Sequence, residues 1–326
     1  MIRDVLLTGA TGFVGSHVAE AFVGHAGRLR ALVRGTSRTE RLKALGVGIE
    51  TASFQDAAAL RRAVQGAEVV VHLAALTHAR TPAELDAVNA DATRALLGAV
   101  LAVEPRPRRL VYMSSLAAAG AADGTPLRRD HDPQPLTAYG RSKLAGERVV
   151  AAAAEQLEVV ILRAPAVYGP RDPEMLRFFR LARLGVLPVP AGPARPLQLV
   201  YVKDLAEAVV RAATVPGARG VYHVAESRAY PWAEVCRTLG RVAGRRVWLA
   251  PVPGGAIRGA AAANEWVGRL AGRSTMFNRD KARELLAPGW LCETDAAREE
   301  LGFEARTPLE QGLRETWDWY RNEGWL

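Results

Sequence analysis

A glycine-rich turn near the start of the chain constrains the fold more than any other feature. The run from Thr8 to Gly15 follows an apolar stretch and opens a segment whose apolar residues recur at helical spacing. Gly9 allows a tight turn, Gly12 lets the backbone approach a pyrophosphate, and Gly15 permits close helix–strand packing. The helix N-terminus then offers N–H groups to phosphates. The expected dinucleotide contacts are Gly9, Thr11, Gly12, Phe13, Val14 and Gly15.

The rest of the first 165 residues alternates short apolar runs with segments of helical periodicity. This alternation predicts β-α-β units and a parallel sheet. Strands are expected at Val5 to Thr8, Leu29 to Val33, Glu68 to Leu73, Leu110 to Met113, Val159 to Leu162 and Gly220 to Ala225. Helices are expected at Ala90 to Val103, from Ala138 onward, and at Met175 to Leu184, and the alanines of Ala151 to Ala154 also favour helix.

After Pro165 prolines become frequent, and the last hundred residues have a mainly helical pattern, with loops around Pro251 to Gly255 and Pro288 to Gly289. We therefore expect an α/β protein with a Rossmann-type, doubly wound parallel sheet and a smaller, mainly helical C-terminal lobe. The dinucleotide-binding domain is assigned to residues 1–167 and 197–225. The substrate-binding lobe is assigned to residues 168–196 and 226–326.

The end of the second strand bears on the choice of cofactor. An acidic residue there would bond the ribose hydroxyls of NAD, whereas arginine accommodates the extra phosphate of NADP. The chain has Arg34 at this place and Arg38 four residues later. Both could make charge-assisted hydrogen bonds to a phosphate. NADP is favoured over NAD, with two ordinary surface arginines as the alternative.

A second motif, Tyr139-Gly140-Arg141-Ser142-Lys143, carries acid–base chemistry. A phenol with an unperturbed pKa of about 10 is a poor base at neutral pH. An ammonium one helical turn away stabilises the phenolate and lowers that pKa. We therefore expect Tyr139 to exchange a proton with the substrate oxygen, and Lys143 also to hydrogen-bond the nicotinamide ribose. A preceding strand ends in Ser114-Ser115.

Together these motifs resemble the extended short-chain dehydrogenase/reductases, which include sugar-nucleotide epimerases, dihydroflavonol reductases and hydroxysteroid dehydrogenases. The resemblance covers Thr8 to Gly15, His72 to Ala75, Asn89 with Thr93, Ser114-Ser115, Tyr139 to Lys143, Leu162 to Arg171 and Val200 to Leu205. It implies that Ser115 holds the substrate oxygen, with Ser114 as the alternative one register step away. It also implies that Leu73, Ala74, Ala75, Asn89, Ser114 and Pro165 lie along the cofactor.

Departures from the family pattern bear on the substrate. Sugar-nucleotide dehydratases carry an Asp-Glu pair after the catalytic hydroxyl, where this chain has Leu116-Ala117, and epimerases often carry Tyr-Gly where it has Ala119-Gly120. The apolar run after Ser115 favours a less polar substrate, closer to the reductase and steroid-dehydrogenase branch. The Gly-Asp expected after the third strand is replaced by Ala52-Ser53, and Asp56 beyond it could serve as a helix cap.

The expected reaction is interconversion of an alcohol and a ketone or aldehyde by hydride transfer to or from the nicotinamide. Nucleotide-sugar epimerisation is the alternative within enzymes, and a non-catalytic dinucleotide sensor is the alternative outside them. The intact set Ser115, Tyr139 and Lys143 argues against the sensor. Arg171 opens the second lobe and is considered equally as an anion-binding substrate residue and as a surface residue.

Composition excludes several other classes. The net charge is +9, but the arginines are spread along the chain and accompany no nucleic-acid-binding motif, so a solvated basic surface is favoured. The two cysteines, Cys236 and Cys292, have neither metal-ligand nor disulfide spacing, and we expect no metal. No apolar run approaches the ~20 residues of a membrane span. We expect a cytoplasmic enzyme that acts on a small molecule and has no membrane partner. The sequence leaves open whether the chain forms a homodimer.

Three further groups of residues are interpreted as structural. His72 lies on a buried strand without a second candidate ligand and is expected to be a core histidine. Asp204 precedes a helical run and is expected to be its N-cap. The aromatic residues near the C-terminus, Trp317, Trp319, Tyr320 and Trp325, are expected to pack that end of the chain.

Overall fold

The computed structural model describes residues 2–272 and 274–326 and places thirteen strands in them. They are β1 (Ile2–Thr8), β2 (Ala26–Val33), β3 (Gly48–Thr51), β4 (Val69–His72), β5 (Arg109–Ser115), β6 (Glu158–Ala164), β7 (Ala166–Tyr168), β8 (Val186–Pro190), β9 (Pro196–Leu197), β10 (Leu199–Tyr201), β11 (Gly220–His223), β12 (Tyr230–Pro231) and β13 (Trp248–Val252). Seven of them form one sheet in the order β11-β6-β5-β4-β1-β2-β3, and every neighbouring pair is parallel. The predicted Rossmann-type fold is confirmed.

Fourteen α-helices and one π-helical turn connect the strands in the described part of the chain. The helices are α1 (Phe13–Phe22), α2 (Glu40–Ala44), α3 (Ala57–Val64), α4 (Pro82–Asp86), α5 (Ala92–Ala102), α6 (Leu116–Ala119), α7 (Ala138–Ala151), α8 (Met175–Arg183), α9 (Val202–Thr214), α10 (Trp232–Val242), α11 (Gly254–Leu270), α12 (Arg279–Leu286), α13 (Asp295–Leu301) and α14 (Leu309–Asn322). The π-helical turn, Ala87–Asp91, lies between α4 and α5.

Both faces of the sheet are apolar, as expected for a parallel sheet covered by helices on each side. On β1, Val5 and Leu7 pack on the face covered by α1 and α9, whereas Leu6 packs on the face covered by α3, α5 and α7. Successive side chains of a strand point to opposite faces, so a continuous apolar run serves both layers. This arrangement leaves the carboxyl ends of the strands free to form a site.

The second lobe packs around its own apolar cluster, which includes residues of α8, α10 and α14. The C-terminal aromatic residues contribute to it: the ring of Tyr320 lies 5.4 Å from that of Phe179 and 5.7 Å from that of Trp325, centroid to centroid. The predicted packing role of these residues is confirmed. β8 pairs in parallel with β13, and β9 pairs with β12 in the antiparallel sense.

Several local predictions need correction. Ala152–Ala154 form turns after α7 rather than helix, and residues predicted as a loop around Pro251 instead end β13 and begin α11. Asp204 is not an N-cap: it lies inside α9, and its carboxylate accepts hydrogen bonds from the amide and hydroxyl of Thr307, because a segment distant in sequence packs there. Asp56, by contrast, does cap α3 through the Ala59 amide.

The domain division can now be refined by packing. Ala297, Leu301 and Phe303 are buried with the α1–α9 layer of the sheet rather than with the second lobe. The sequence-based division places these three residues in the lobe, as part of residues 226–326. We propose the original division with 295–303 moved to the dinucleotide-binding domain.

The structural interpretation of His72 agrees with its surroundings. Its ring nitrogens lie 2.6 Å from the Thr8 hydroxyl and 3.0 Å from the Thr93 hydroxyl, and burial lowers its pKa to about 3. Within residues 2–272 and 274–326, no group of three metal-ligating side chains comes together. Over the same residues, no helix is long and apolar enough to cross a bilayer.

Candidate active site

A cavity of about 3010 Å³ lies at the carboxyl ends of β1, β4, β5 and β6, between the sheet and the second lobe. Ligands bind in this position in open α/β sheets. Pockets for small molecules usually measure about 300–1,000 Å³, so this one can hold a dinucleotide together with a substrate. Predicted residues that line it are Gly9, Thr11, Gly12, Phe13, Val14, Gly15, Arg34, Leu73, Ala74, Ala75, Ser114, Ser115, Tyr139, Lys143 and Pro165.

The glycine turn has the geometry that its predicted role requires. Gly9 has φ +71°, and a Cβ there would lie 2.6 Å from the backbone nitrogen of Ala74. A Cβ at Gly15 would lie 2.0 Å from the Gly9 carbonyl oxygen. Gly12 is the N-cap of α1 and has no side chain that could accept a hydrogen bond from the first turn. The first N–H groups of the helix, at the cavity-lining residues Phe13 to Gly15, are therefore left for a ligand. These residues fit a dinucleotide pyrophosphate.

The two arginines after β2 differ in position. Arg34 is exposed and lines the cavity, at the start of a turn in which its carbonyl accepts the Ser37 amide at 2.9 Å. Arg38 is also exposed but is not among the described residues that line the cavity. Arg38 follows this turn directly, and its predicted cofactor contact stays a prediction.

Glycine also brings the acid–base residues to the end of β5. A Cβ at Gly140 would lie 2.3 Å from the Ala117 carbonyl oxygen, so only glycine lets the first turn of α7 approach this closely. Tyr139 thereby faces Ser115, whose hydroxyl oxygen accepts the Ala117 amide at 3.1 Å. Lys143, one turn further on, donates to the Met113 carbonyl at 2.6 Å. The three predicted catalytic residues meet in one place.

The pKa of Tyr139 shifts in the direction opposite to the prediction. Burial raises it to about 12, the carboxylates of Glu284 and Glu174 add to the increase, and the hydrogen bond with Ser115 opposes it. Burial also lowers the pKa of Lys143 to about 7, although Glu147 acts against that decrease. The sequence argument considered only the attraction between ammonium and phenolate. Removal of both groups from water favours the neutral form of each.

A buried ion pair supports this site from behind. Both carboxylate oxygens of Glu147 accept hydrogen bonds from Arg163, at 2.9 and 2.7 Å, and the side chains are 5% and 4% exposed. The Ser114 hydroxyl also donates to Glu147, so its proton is directed away from the cavity. Of the two serine candidates, Ser115 is therefore the one whose hydroxyl faces Tyr139.

Asn89 joins elements instead of binding the cofactor. It is fully buried in the π-helical turn and is not among the described cavity-lining residues, which corrects its predicted cofactor contact. Its side chain accepts the Leu76 amide and donates to the Leu76 carbonyl and the Ser142 hydroxyl, each at 2.9 Å. Its carbonyl accepts from the hydroxyls of Tyr112 and Thr93. Asn89 thus fixes a cavity-lining loop to α7.

Arg171 forms an ion pair with α1. Its guanidinium donates to both carboxylate oxygens of Glu20, at 2.7 and 2.8 Å, and contacts the ring of His17 on α1. It is not among the described residues that line the cavity. Its charge is engaged by a helix that lies about 150 residues earlier, which agrees with the alternative of a role outside the substrate site. Anion binding by Arg171 stays a prediction.

The second lobe adds residues that sequence reasoning missed. Asp172 and Glu174 precede α8, Lys281 and Glu284 lie on α12, and all four line the cavity. Burial raises the pKa of Asp172 to about 7. Apolar side chains also line the same cavity: Phe178, Leu181, Val189, Trp232, Met276 and Phe277. No local motif marks these residues, because only the docking of the lobe brings them to the sheet.

Comparison with known proteins assigns the chain. A model of the NAD dependent epimerase/dehydratase family matches residues 5–225, which include the glycine turn, Tyr139 and Lys143. The chain belongs to this family. Membership places it in the extended short-chain dehydrogenase/reductase superfamily, as predicted from the motifs, and shows an enzyme that acts on small molecules with a nicotinamide cofactor. The sensor alternative is therefore set aside.

The relatives of this family member include both reductases and epimerases. The chain is 35% identical to the ceramide reductase of Caulobacter vibrioides, over 99% of this chain and 96% of that protein. It is 26% identical to the UDP-glucose 4-epimerase of Vibrio cholerae, over 97% and 95% respectively. Among solved structures, MoeE5 in complex with UDP-glucose and NAD aligns with a TM-score of 0.76 and 27% identity, over 98% and 99% of the two chains. A general oxidoreductase or epimerase role follows.

Proposed function

We propose that this enzyme reduces a bulky, largely apolar ketone to a secondary alcohol, reversibly, with Tyr139 as the proton donor. The observation that carries the proposal is the arrangement of Tyr139 opposite Ser115 in a cavity with an apolar second-lobe wall. A phenol with a pKa of about 12 is protonated at neutral pH. This is the form that gives a proton to a carbonyl oxygen, as reduction requires.

Ser115, Tyr139 and Lys143 have separate roles in the proposed reaction. The Ser115 oxygen accepts the Ala117 amide and its O–H faces Tyr139, so a substrate carbonyl between the two side chains would take a hydrogen bond from Ser115. Tyr139 Oη gives its proton to that oxygen as the carbonyl becomes an alcohol. Lys143 lies one turn away as the cation that favours negative charge at this place, and it would hold the nicotinamide ribose. When bound, the nicotinamide supplies the hydride.

The cofactor is proposed to be NADP rather than NAD. The support is Arg34, which lines the cavity at the end of β2 where an acidic residue would suit the ribose of NAD. The glycine turn, with Leu73, Ala74, Ala75 and Pro165, would hold the remainder of the dinucleotide.

The apolar wall favours a substrate of reductase type. Leu116 and Ala117 line the cavity, whereas Ala118 and Ala119, which continue the apolar run after Ser115, are fully buried and do not line it. The second lobe supplies the larger apolar surface through Phe178 and its neighbours. A sugar hydroxyl that faced this apolar part of the wall would lack a partner, at about 1–3 kcal/mol for each unmatched group. Asp172, Glu174, Lys281 and Glu284 offer polar partners elsewhere in the cavity. Similarity to a ceramide reductase agrees with this proposal.

Nucleotide-sugar epimerisation is the second candidate. It is favoured by the volume of the cavity, which could let a bound keto intermediate rotate, and by the similarity to a UDP-glucose 4-epimerase. The two candidates differ in what they consume: reduction uses one reduced cofactor for each turnover, whereas epimerisation consumes none.

The test combines substrates and one substitution. Hydrophobic ketones, including 3-keto lipids with long chains, are assayed beside UDP- and dTDP-sugars by the absorbance of the reduced nicotinamide and by product analysis. Tyr139→Phe is expected to lower kcat on the accepted ketone by at least ~10²-fold while cofactor binding is retained. Tyr222→Phe, which removes a buried hydroxyl remote from the cavity, is the control and should retain kcat. Turnover of a nucleotide sugar and of none of the ketones would replace the proposal by epimerisation.

A further inference from the structure

The N-terminus of α7, which carries Tyr139, is held by two hydrogen-bond acceptors of different origin. The Thr137 hydroxyl oxygen caps the helix locally by accepting the Gly140 amide at 3.1 Å. The Asp280 carboxylate accepts the Ala138 amide at 2.7 Å, from 142 residues further along the chain. The first N–H groups of a helix have no partner within it, so each acceptor satisfies a group that would otherwise lack one. Tyr139 lies between the two anchored residues.

Asp280 belongs to the second lobe. It lies in the first turn of α12, which begins after the cap Asn278 and packs against α11 through Ala282. The other oxygen of Asp280 accepts from Arg283 at 2.7 Å, so the carboxylate orientation is fixed from its own helix. A carboxylate also interacts favourably with the positive end of the α7 dipole. The position of α12 therefore constrains the first turn of α7.

The same helix faces the substrate region of the cavity. Lys281 and Glu284 line it, and Glu284 is near enough to Tyr139 to contribute to the increase of its pKa. Lys281 and Glu284 are joined by a 3.1 Å ion pair. A substrate that contacts this face of α12 would act on the element that also holds Ala138.

We propose that Asp280 is a positioning residue for Tyr139, through which the second lobe holds the acid–base group in place for the reaction. This inference rests on the proposed role of Tyr139 as proton donor. A displacement of about 1 Å at a reacting group can cost on the order of 10²-fold in rate. Loss of one helix cap corresponds to a roughly fivefold change in an equilibrium constant. The expected effect on kcat therefore lies between these limits, at about tenfold.

The chain offers a matched control. Asp295 lies in the first turn of α13 and pairs with Arg298 at 2.7 Å, as Asp280 pairs with Arg283. Within the described chain, the Asp295 carboxylate makes no hydrogen bond or ion pair to another element. Asp280→Ala is expected to lower kcat about tenfold with the Kd of the cofactor unchanged, whereas Asp295→Ala retains kcat. Asp280→Asn keeps an oxygen that can accept the Ala138 amide, and it is expected to recover most of the rate.

Amide hydrogen exchange provides a readout that needs no turnover. Peptides covering residues 138–142 should exchange faster in Asp280→Ala than in Asp295→Ala, with Asp280→Asn close to the native protein. Equal kcat in the two alanine variants, equal exchange in them, or failure of asparagine to restore the rate would overturn the proposal. If the native protein turns over no ketone, the proposed function fails, and the exchange comparison alone then decides whether Asp280 anchors α7.

Discussion

Replacement of Glu147 by glutamine should destabilise the protein severely. The carboxylate accepts two hydrogen bonds from Arg163 and one from Ser114, at a place where both members of the ion pair are about 95% buried. Glutamine retains the shape but has no charge, and its amide N–H₂ would oppose a guanidinium that also only donates. Removal of one partner of a buried pair typically costs about 3–5 kcal/mol, a large part of the 5–15 kcal/mol that stabilises a typical domain.

Urea denaturation, followed by circular dichroism, measures this loss. The control is Glu207→Gln, which breaks the partly exposed pair with Arg211 on α9 and should cost less than about 1 kcal/mol. In the fraction of Glu147→Gln that folds, the pKa of Lys143 should fall below about 7, because the carboxylate that opposes its decrease is gone. A loss of unfolding free energy no greater than that of Glu207→Gln would refute the argument that the Glu147–Arg163 pair is buried and essential to stability.

The remaining predictions concern the cofactor and pH. Gly9→Ala should weaken dinucleotide binding by at least tenfold and lower Tm, because the added Cβ would overlap the backbone of Ala74. Gly24, with φ +84° and open space around it, is the control, and Gly24→Ala should show only the cost of a non-glycine residue at positive φ. Calorimetric titration compares the two variants. Arg34→Asp should reduce or reverse a preference for NADP, and Arg38→Asp should have a smaller effect because Arg38 does not line the cavity; equal native affinities for both cofactors would contradict this. The rate of ketone reduction should fall as pH rises through about 7, since Lys143 then loses its charge, and the decline should be absent in Lys143→Met.

The fold and the centre of the site were predictable because their signals are local. The glycines after β1 are required by contacts within the turn and with the adjacent strand end, and the apolar runs of the strands are required by a sheet that is buried on both faces. The spacing of Tyr139 and Lys143 places both on one helix face whatever surrounds them. These features depend on neighbours in sequence or on one regular element.

The predictions that are wrong or left open depend on contacts between distant segments. Arg171 is considered equally as an anion-binding residue and as a surface residue, because nothing near it in sequence reveals that Glu20 on α1 engages it. The pKa of Tyr139 depends on the burial that the second lobe imposes, and Asp280 reaches Ala138 only because α12 docks there. Periodicity describes the face of a helix but not the element that will cover it.

The π-helical turn that contains Asn89 fixes the number of residues at the junction of α4 and α5. Such a turn accommodates one more residue than a regular helix, and each helical residue advances by about 100° around the axis. Deletion of one residue from Ala87–Asp91 would restore a regular helix but rotate Asn89 away from Leu76 and Ser142. Homologous chains that keep this junction must therefore keep its residue count, and changes of length between them should accumulate in other connections.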